Sequence, residues 1–112
     1  MNIIMSSFKD FKNLDIRLAK VLECKSNPDS KSLIELKTDI GDNQTRTIVA
    51  AIKEWYSAED LIGEYVLVAF NLPLNSIKSE GTLLAIDAEH SAVLLKPDKK
   101  YYDKIKPGMK LA

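Results

Sequence analysis

The sequence predicts an all-β fold: a small five-stranded Greek-key barrel with one short helix between strands 3 and 4 and a small C-terminal extension. Three observations carry this. Apolar and polar residues alternate over several short runs, which is the period of a half-buried strand. One helical segment stands between the third and fourth of those runs. The chain has 112 residues with four Gly and four Pro, placed at segment ends, so residues 1–112 read as a single domain with tight turns. Hydrophobic residues make up 46% and charged residues 29%, an ordinary globular balance.

In chain order, Ser6 or Ser7 can cap a helical turn over residues 8–11. Phe8 and Phe11 are three apart and share a face, as a plug on the core or as an exposed aromatic platform. Leu14, Ile16 and Leu18 alternate with Asp15 and Arg17 as the first strand. The alternation slips between Lys20 and Val21, which is what a β-bulge produces, and a bulge bends a strand so that it can serve two walls of a barrel. Ile34, Leu36 and Ile40 alternate with Glu35, Lys37 and Asp39 as the second strand, Gly41-Asp42-Asn43 makes a hairpin turn, and residues 45–52 are the third. Ser57 can cap a helical turn carrying Glu59 and Asp60 that Gly63 stops. Residues 64–70 are nearly all apolar, a strand buried on both faces. After a loop over 71–78, residues 82–86 and 92–95 form a hairpin around Asp87-Ala88-Glu89-His90, and Pro97-Asp98 and Pro107-Gly108 mark turns in the tail. A helix between the third and fourth strands is the signature of the OB-type Greek-key barrel. Its interior is expected to hold Ile34, Leu36, Ile48, Leu67 and Leu84.

Composition excludes several functions. With 16 Lys+Arg against 16 Asp+Glu, the chain is not coated in basic charge, and nucleic-acid binding has to rest on a local patch. One Cys, Cys24, forms no internal disulfide, and with the single His90 it cannot make a zinc cage of the usual type. No Gly-rich phosphate loop, GxSxG, HExxH or CxxC is present, and no second histidine is available to activate Cys24. The expectation is therefore a binding protein without catalytic residues, metal or cofactor. The apolar start over residues 1–5 is short for a signal peptide, and the next apolar run, 65–70, is far below the roughly 20 residues that span a bilayer. The chain is expected to be cytoplasmic, with no membrane partner.

Five collinear segments carry a family resemblance. They are Leu14-Asp15-Ile16-Arg17-Leu18-Ala19-Lys20-Val21-Leu22; Asp39-Ile40-Gly41 with Arg46-Thr47-Ile48-Val49-Ala50-Ala51-Ile52; Tyr56 through Leu61-Ile62-Gly63-Glu64 running into Val66-Leu67-Val68-Ala69-Phe70-Asn71-Leu72; Ser79-Glu80-Gly81-Thr82-Leu83-Leu84-Ala85; and Leu94-Leu95-Lys96-Pro97-Asp98 with Lys106-Pro107-Gly108. Together they resemble the OB-type tRNA-binding domain found at the C-terminus of many methionyl-tRNA synthetases, in small free-standing tRNA-binding proteins and in a secretion-associated chaperone. The resemblance implies a barrel that binds tRNA by shape and phosphate contacts, with methionyl-tRNA synthetase as a partner protein, and homodimerisation through the chain ends. Apolar Ile3, Ile4 and Met5 at the start and Tyr101, Tyr102, Ile105, Met109 and Leu111 at the finish fit such a seam.

By the same resemblance the RNA-binding residues are Lys31, Arg46, Asn71, Lys78, Ser79 and Glu80. Arg46 is a phosphate contact or a surface arginine; the Asn71 amide bonds RNA or fixes the following loop; Gly81 supplies a close backbone approach. The sequence also departs from the family. The first loop reads Asn27-Pro28-Asp29-Ser30-Lys31-Ser32-Leu33, with its lysine displaced by one, and the loop after Asn71 is short and carries the single cation Lys78. Residues 96–110 compensate in part, with six lysines and two aspartates around Tyr101 and Tyr102. Two readings remain: a tRNA-binding module, or a homodimeric protein-interaction or chaperone-like module with eroded RNA affinity.

Overall fold

The computed structural model describes residues 5–112. Its organising element is β1 (Ile16–Ser26), which the expected bulge, between Val21 and Glu23, divides into two halves. The upstream half pairs with β4 (Tyr65–Ala69) and the downstream half with β2 (Ile34–Asp39), so one strand serves two walls. β2 continues into β3 (Thr45–Ala50) through a turn in which Gly41, Asp42 and Asn43 all adopt positive φ, a conformation that Gly, Asp and Asn tolerate best. β5 (Thr82–Leu83) adds to β4, which gives the antiparallel order β3-β2-β1-β4-β5. Helix α2 (Ala58–Leu61) lies between β3 and β4 as expected, and Gly63 follows it at φ +85°. The chain is an OB-type all-β barrel.

The barrel closes through one backbone bond and two side chains. The Glu80 N–H donates to the Thr47 carbonyl (3.0 Å), the Thr47 N–H donates to Glu80 Oε1 (2.8 Å), and the Val49 N–H donates to Ser79 Oγ (2.9 Å). Gly81 sits where the walls meet, and a Cβ there would lie 2.8 Å from Val68 Cγ1 and 3.1 Å from the Ala69 carbonyl oxygen. The interior is filled by Ala19, Val21, Ile34, Leu36, Ile48, Val66 and Val68, with Leu61, Ile52 and Leu94 at its ends.

Several expectations are corrected. Ile34, Leu36 and Ile48 are core residues, but Leu67 and Leu84 are only half-buried. Residues 64–70 are apolar at nearly every position and so carry no phase of their own. Pairing with β1 sets it: Val66 opposes Ala19 inside, whereas Leu67 opposes Leu18 on the outer face. Ile16 and Leu18 are buried, but outside the barrel core. Helix α1 (Phe8–Lys12), capped by Ser7, is the exposed platform and not a plug: Phe8 is 65% exposed and its ring lies 6.0 Å from that of Phe11. The last hairpin is tighter than expected, with β6 (Ala85–Ala88) and β7 (Ser91–Leu94) joined at Glu89-His90 and separated from β5 by Leu84. The Tyr56 hydroxyl accepts from the Leu94 N–H and pins that hairpin (3.1 Å).

The tail returns to the barrel. The Gly108 N–H donates to the Leu18 carbonyl, the Leu18 N–H to the Met109 carbonyl and the Leu111 N–H to the Ile16 carbonyl, at 2.8–2.9 Å, so residues 108–111 run beside the upstream half of β1. A Cβ on Gly41 would stand 2.7 Å from the Pro107 carbonyl oxygen, so hairpin turn and tail meet backbone to backbone there. Among the described residues, no helix is long and apolar enough to cross a membrane. Ile3 and Ile4, expected at a dimer seam, lie outside the described residues.

Candidate nucleic-acid interface

Alternation on β1, β2 and β3 turns Glu23, Lys25, Glu35, Lys37, Thr47 and Val49 outward, because their neighbours Cys24, Leu36 and Ile48 turn inward. Two adjoining hollows lie on this outer face. One of about 260 Å³ is lined by Glu23, Lys25, Glu35, Lys37 and Thr47. The other, of about 280 Å³, is lined by Asn27, Leu33, Glu35, Thr47, Val49, Ile77 and Lys78. Glu35 and Thr47 border both, so the two form one groove, bounded by the β1–β2 loop and the loop leading to β5. OB barrels use this side for nucleic-acid ligands.

Each wall of the groove is fixed by local chemistry. The β1–β2 loop is held by Lys53, whose Nζ donates to the Asn27 carbonyl (3.2 Å) and the Ser30 carbonyl (2.9 Å). The Asn27 side chain accepts from the Asp29 N–H, and Ser30 Oγ accepts from the N–H groups of Ser32 and Leu33. Lys31 stands exposed on that loop. On the opposite wall a 3-10 turn (Asn75–Ile77) ends at Lys78 in the left-handed conformation, φ 54° and ψ 43°, with its side chain lining the groove. Charge inside the groove is mixed: Lys37 opposes Glu23 and Lys25 opposes Glu35 across the strands. These pairs do not close to ion-pair distance; the ion pairs among the described residues lie elsewhere. The lysines are therefore free to turn toward a phosphate.

The six residues expected at the site take three kinds of place. Lys78 lines the groove, and Lys31 is exposed on the loop whose Asn27 and Leu33 line it. Ser79 and Glu80 lie beneath Lys78. Ser79 is only 4% exposed and its hydroxyl both accepts from Val49 N–H and donates to the Gly81 carbonyl (2.6 Å). Glu80 is exposed, but one carboxylate oxygen is held by the Thr47 N–H. Arg46 opposes Thr38 on the inward phase at the mouth of the barrel. Its guanidinium folds back, Nη1 donating to the Thr45 carbonyl (2.9 Å) and Nη2 to Gln44 Oε1 (3.4 Å). Asn71 is at the end of β4, where its Oδ1 accepts from the Asp15 N–H (2.9 Å) and its Nδ2 donates to the Asn13 carbonyl (2.5 Å), fixing the approach to β1. Sequence reasoning missed Lys25, Lys37, Thr47 and Lys53. The first three were legible as the polar phase of alternating strands; the stapling by Lys53 is a contact between distant segments and leaves no local signal.

Other titratable groups fall outside the groove. Burial pushes the Cys24 thiol above its usual range, which disfavours the nucleophilic thiolate. His90 projects from the β6–β7 turn with a side chain 90% exposed. Hydrogen bonding and charge from Asp15 raise the Arg17 pKa and tie up that guanidinium. A larger hollow of about 600 Å³ lies between the β2–β3 turn and residues 106–109, lined by Arg17 and Lys106 as well as Asp39 and Asp42; Arg17 is paired with Asp15, which leaves Lys106 as its one cation without an ion-pair partner among the described residues.

A small barrel with a cation-flanked groove between two ordered loops defines a ligand-binding module of the nucleic-acid type. Comparison with known proteins is consistent with that class. Residues 16–108 match the family described as "Putative tRNA binding domain". The chain is 43% identical over 96 residues to the methionine–tRNA ligase of Pyrococcus abyssi, an alignment covering 83% of this chain and 13% of the ligase. The chain thus spans a small part of the length of the curated relatives it matches. Among solved structures, the chaperone CsaA of Bacillus anthracis superposes with a TM-score of 0.78 at 29% identity, covering 97% of this chain and 100% of that one. A methionyl-tRNA-synthetase-related protein of Pyrococcus horikoshii shares the fold, with a TM-score of 0.83 at 22% identity, covering 98% and 100%. The chain belongs to the tRNA-binding domain family.

Proposed function

We propose that this domain binds tRNA, without catalysing a reaction, along the outer face of β2 and β3, and that it acts in the cytoplasm by raising the local tRNA concentration at methionyl-tRNA synthetase. The observation that carries this reading is the groove itself, with Lys78 on one wall, Lys25 and Lys37 beside Glu23 and Glu35 on its floor, and Lys31 exposed on the loop whose Asn27 and Leu33 form the other wall. Structured RNA is recognised mainly by shape, phosphate and 2′-hydroxyl contacts, and a shallow groove with spaced cations suits that mode. In this reading Lys31 and Lys78 meet phosphates at the groove, and Arg46 does so from the adjoining hairpin by swinging its guanidinium away from the Thr45 carbonyl and Gln44. Asn71, Ser79 and Glu80 act by holding the loops in place, since their polar atoms are already bonded to the protein.

The test is a tRNA titration at two salt concentrations with a DNA duplex as control. Affinity for tRNA falls with salt, and Lys78→Gln and Arg46→Ala each lower the salt slope by about one phosphate contact. Glu59→Ala on α2 leaves binding unchanged. Wild-type protein without tRNA affinity at low salt refutes the reading.

The likeness to CsaA, together with exposed apolar groups at the chain ends, favours a second reading, a homodimeric module that holds protein segments. Both readings place a two-fold seam at the chain ends. Phe8, Phe11, Leu14 and Leu111 line a hollow of about 500 Å³, and Met109 and Leu111 are 41% and 38% exposed. Exposed apolar patches of this kind mark interfaces, and two-fold pairing is the commonest closed solution. Sedimentation at micromolar concentration is expected to give a dimer that Leu111→Asp splits; a wild-type monomer refutes the seam.

A further inference from the structure

We propose that the 3-10 turn Lys99–Lys104, together with Lys20, forms a second phosphate-contacting surface that holds the same RNA on the wall next to the β2–β3 groove. This inference rests on the tRNA-binding reading. The turn lies against the outer face of the β1–β4 wall, because the Tyr102 ring meets that of Tyr65 edge-on, with centroids 5.2 Å apart and planes at 79°. Docking Tyr102 leaves its neighbour Tyr101 pointing outward, 49% exposed; neither tyrosine lines the hollow at the chain ends, so this pair, expected at the dimer seam, is assigned here to the RNA surface. Lys100 Nζ and Lys104 Nζ lie 5.2 and 6.0 Å from the centre of that exposed ring. Lys20 Nζ stands 6.0 Å from the Tyr65 ring on the same wall. A cation over an aromatic face is held by the ring's quadrupole, so these ammonium groups are gathered without being neutralised.

The nearby acids offset only part of this charge. Asp98 caps the turn by accepting from the Lys100 N–H (3.1 Å) and lies 4.0 Å from Lys100 Nζ; Glu64 lies 3.9 Å from Lys96 Nζ. Asp103 is exposed on the turn itself, and Asp39 stands opposite Lys20, with its Oδ1 accepting from the Gly41 N–H. Lys20, Lys99 and Lys104 have no ion-pair partner among the described residues. Their position joins this surface to the groove. Lys20 opposes Tyr65 on β4 and Asp39 on β2, so it stands where β1 passes from one wall to the next, just before the bulge. Lys25 follows on the groove side of that corner. A phosphate backbone lying in the groove can continue around the corner onto the lysines of the turn. Exposed aromatics among cations suit RNA. A lipid surface fits less well, because residues 99–104 carry no aliphatic side chain to insert into the acyl boundary.

The experiment compares full-length wild type, Lys99→Gln/Lys104→Gln and Lys9→Gln/Lys106→Gln in the tRNA titration across salt. All four lysines are exposed, so both double variants keep the fold, and the second pair controls for loss of overall charge. The turn variant is expected to lower the salt slope by about 1.5, so that its affinity relative to wild type changes by about eightfold between 50 and 200 mM salt, while the control pair stays close to wild type. A turn variant indistinguishable from the control pair, with wild type still binding tRNA, overturns this inference and leaves the groove reading intact. Failure of wild type to bind tRNA removes both. A turn variant that loses binding to phosphatidylserine vesicles but keeps its tRNA slope also overturns it, assigning the turn to a lipid surface.

Discussion

Ser79→Ala tests how the barrel is closed. The side chain is 4% exposed, and its hydroxyl is placed between the Val49 N–H and the Gly81 carbonyl, at 2.9 and 2.6 Å. Alanine leaves the Val49 amide on β3 without its acceptor and the Gly81 carbonyl without this donor. A buried donor deprived of its partner costs about 1–3 kcal/mol, so the variant is expected to lose about 2 kcal/mol. Glu80 offers the internal comparison. It also accepts from a β3 amide, that of Thr47 at 2.8 Å, but in an exposed position where water can replace the carboxylate. Glu80→Ala is therefore expected to cost about 0.5 kcal/mol. Urea unfolding followed by tryptophan fluorescence measures both. With an m-value of about 1.5 kcal/mol per molar urea, Ser79→Ala shifts the midpoint by about 1 M. A Ser79→Ala midpoint within error of the parent, or a Glu80→Ala loss larger than that of Ser79→Ala, refutes the reasoning that the buried hydroxyl closes the barrel.

Three further outcomes follow from the same structure. Leu36→Ala removes a fully buried side chain from β2 and is expected to cost about 2–5 kcal/mol, measured by the same unfolding; a parent-like melt contradicts the strand phase. Gly81→Ala places a Cβ 2.8 Å from Val68 Cγ1 and 3.3 Å from Ile48 Cδ1, and the overpacking is expected to lower stability by about 1–3 kcal/mol, which a thermal melt detects. The Asp60 carboxyl is held below the ordinary aspartate range, chiefly because it accepts the Ser57 N–H at the start of α2 (2.9 Å). A depressed folded-state pKa means that this contribution is present above the unfolded value and is lost as pH falls through the folded one. Asp60 is therefore expected to titrate, by carboxyl-carbon NMR, at lower pH than aspartate in an unstructured peptide, and Asp60→Asn to flatten the acid limb of stability.

The sequence by itself determined the succession of strands along the chain, the helix between β3 and β4, the β2–β3 turn and the bend in β1, because each is written in local terms. Alternation, capping and turn residues act over a few positions, and the run Ile34-Glu35-Leu36-Lys37 has one solution as a strand. It also located Lys31 and Lys78 in loops, where loop residues reach ligands. Only the tertiary structure decided the phase of Tyr65–Ala69, because an all-apolar strand is read from its partner and not from itself. It decided that Ser79 and Glu80 are closure residues, since a polar side chain near a glycine looks the same whether it meets solvent or a β3 amide thirty residues away or more. It turned Arg46 back onto the hairpin, left Phe8 exposed and recruited Lys53 to staple a distant loop. Those outcomes depend on which segments meet when the barrel closes, and contacts between segments far apart in the chain have no counterpart in local sequence pattern.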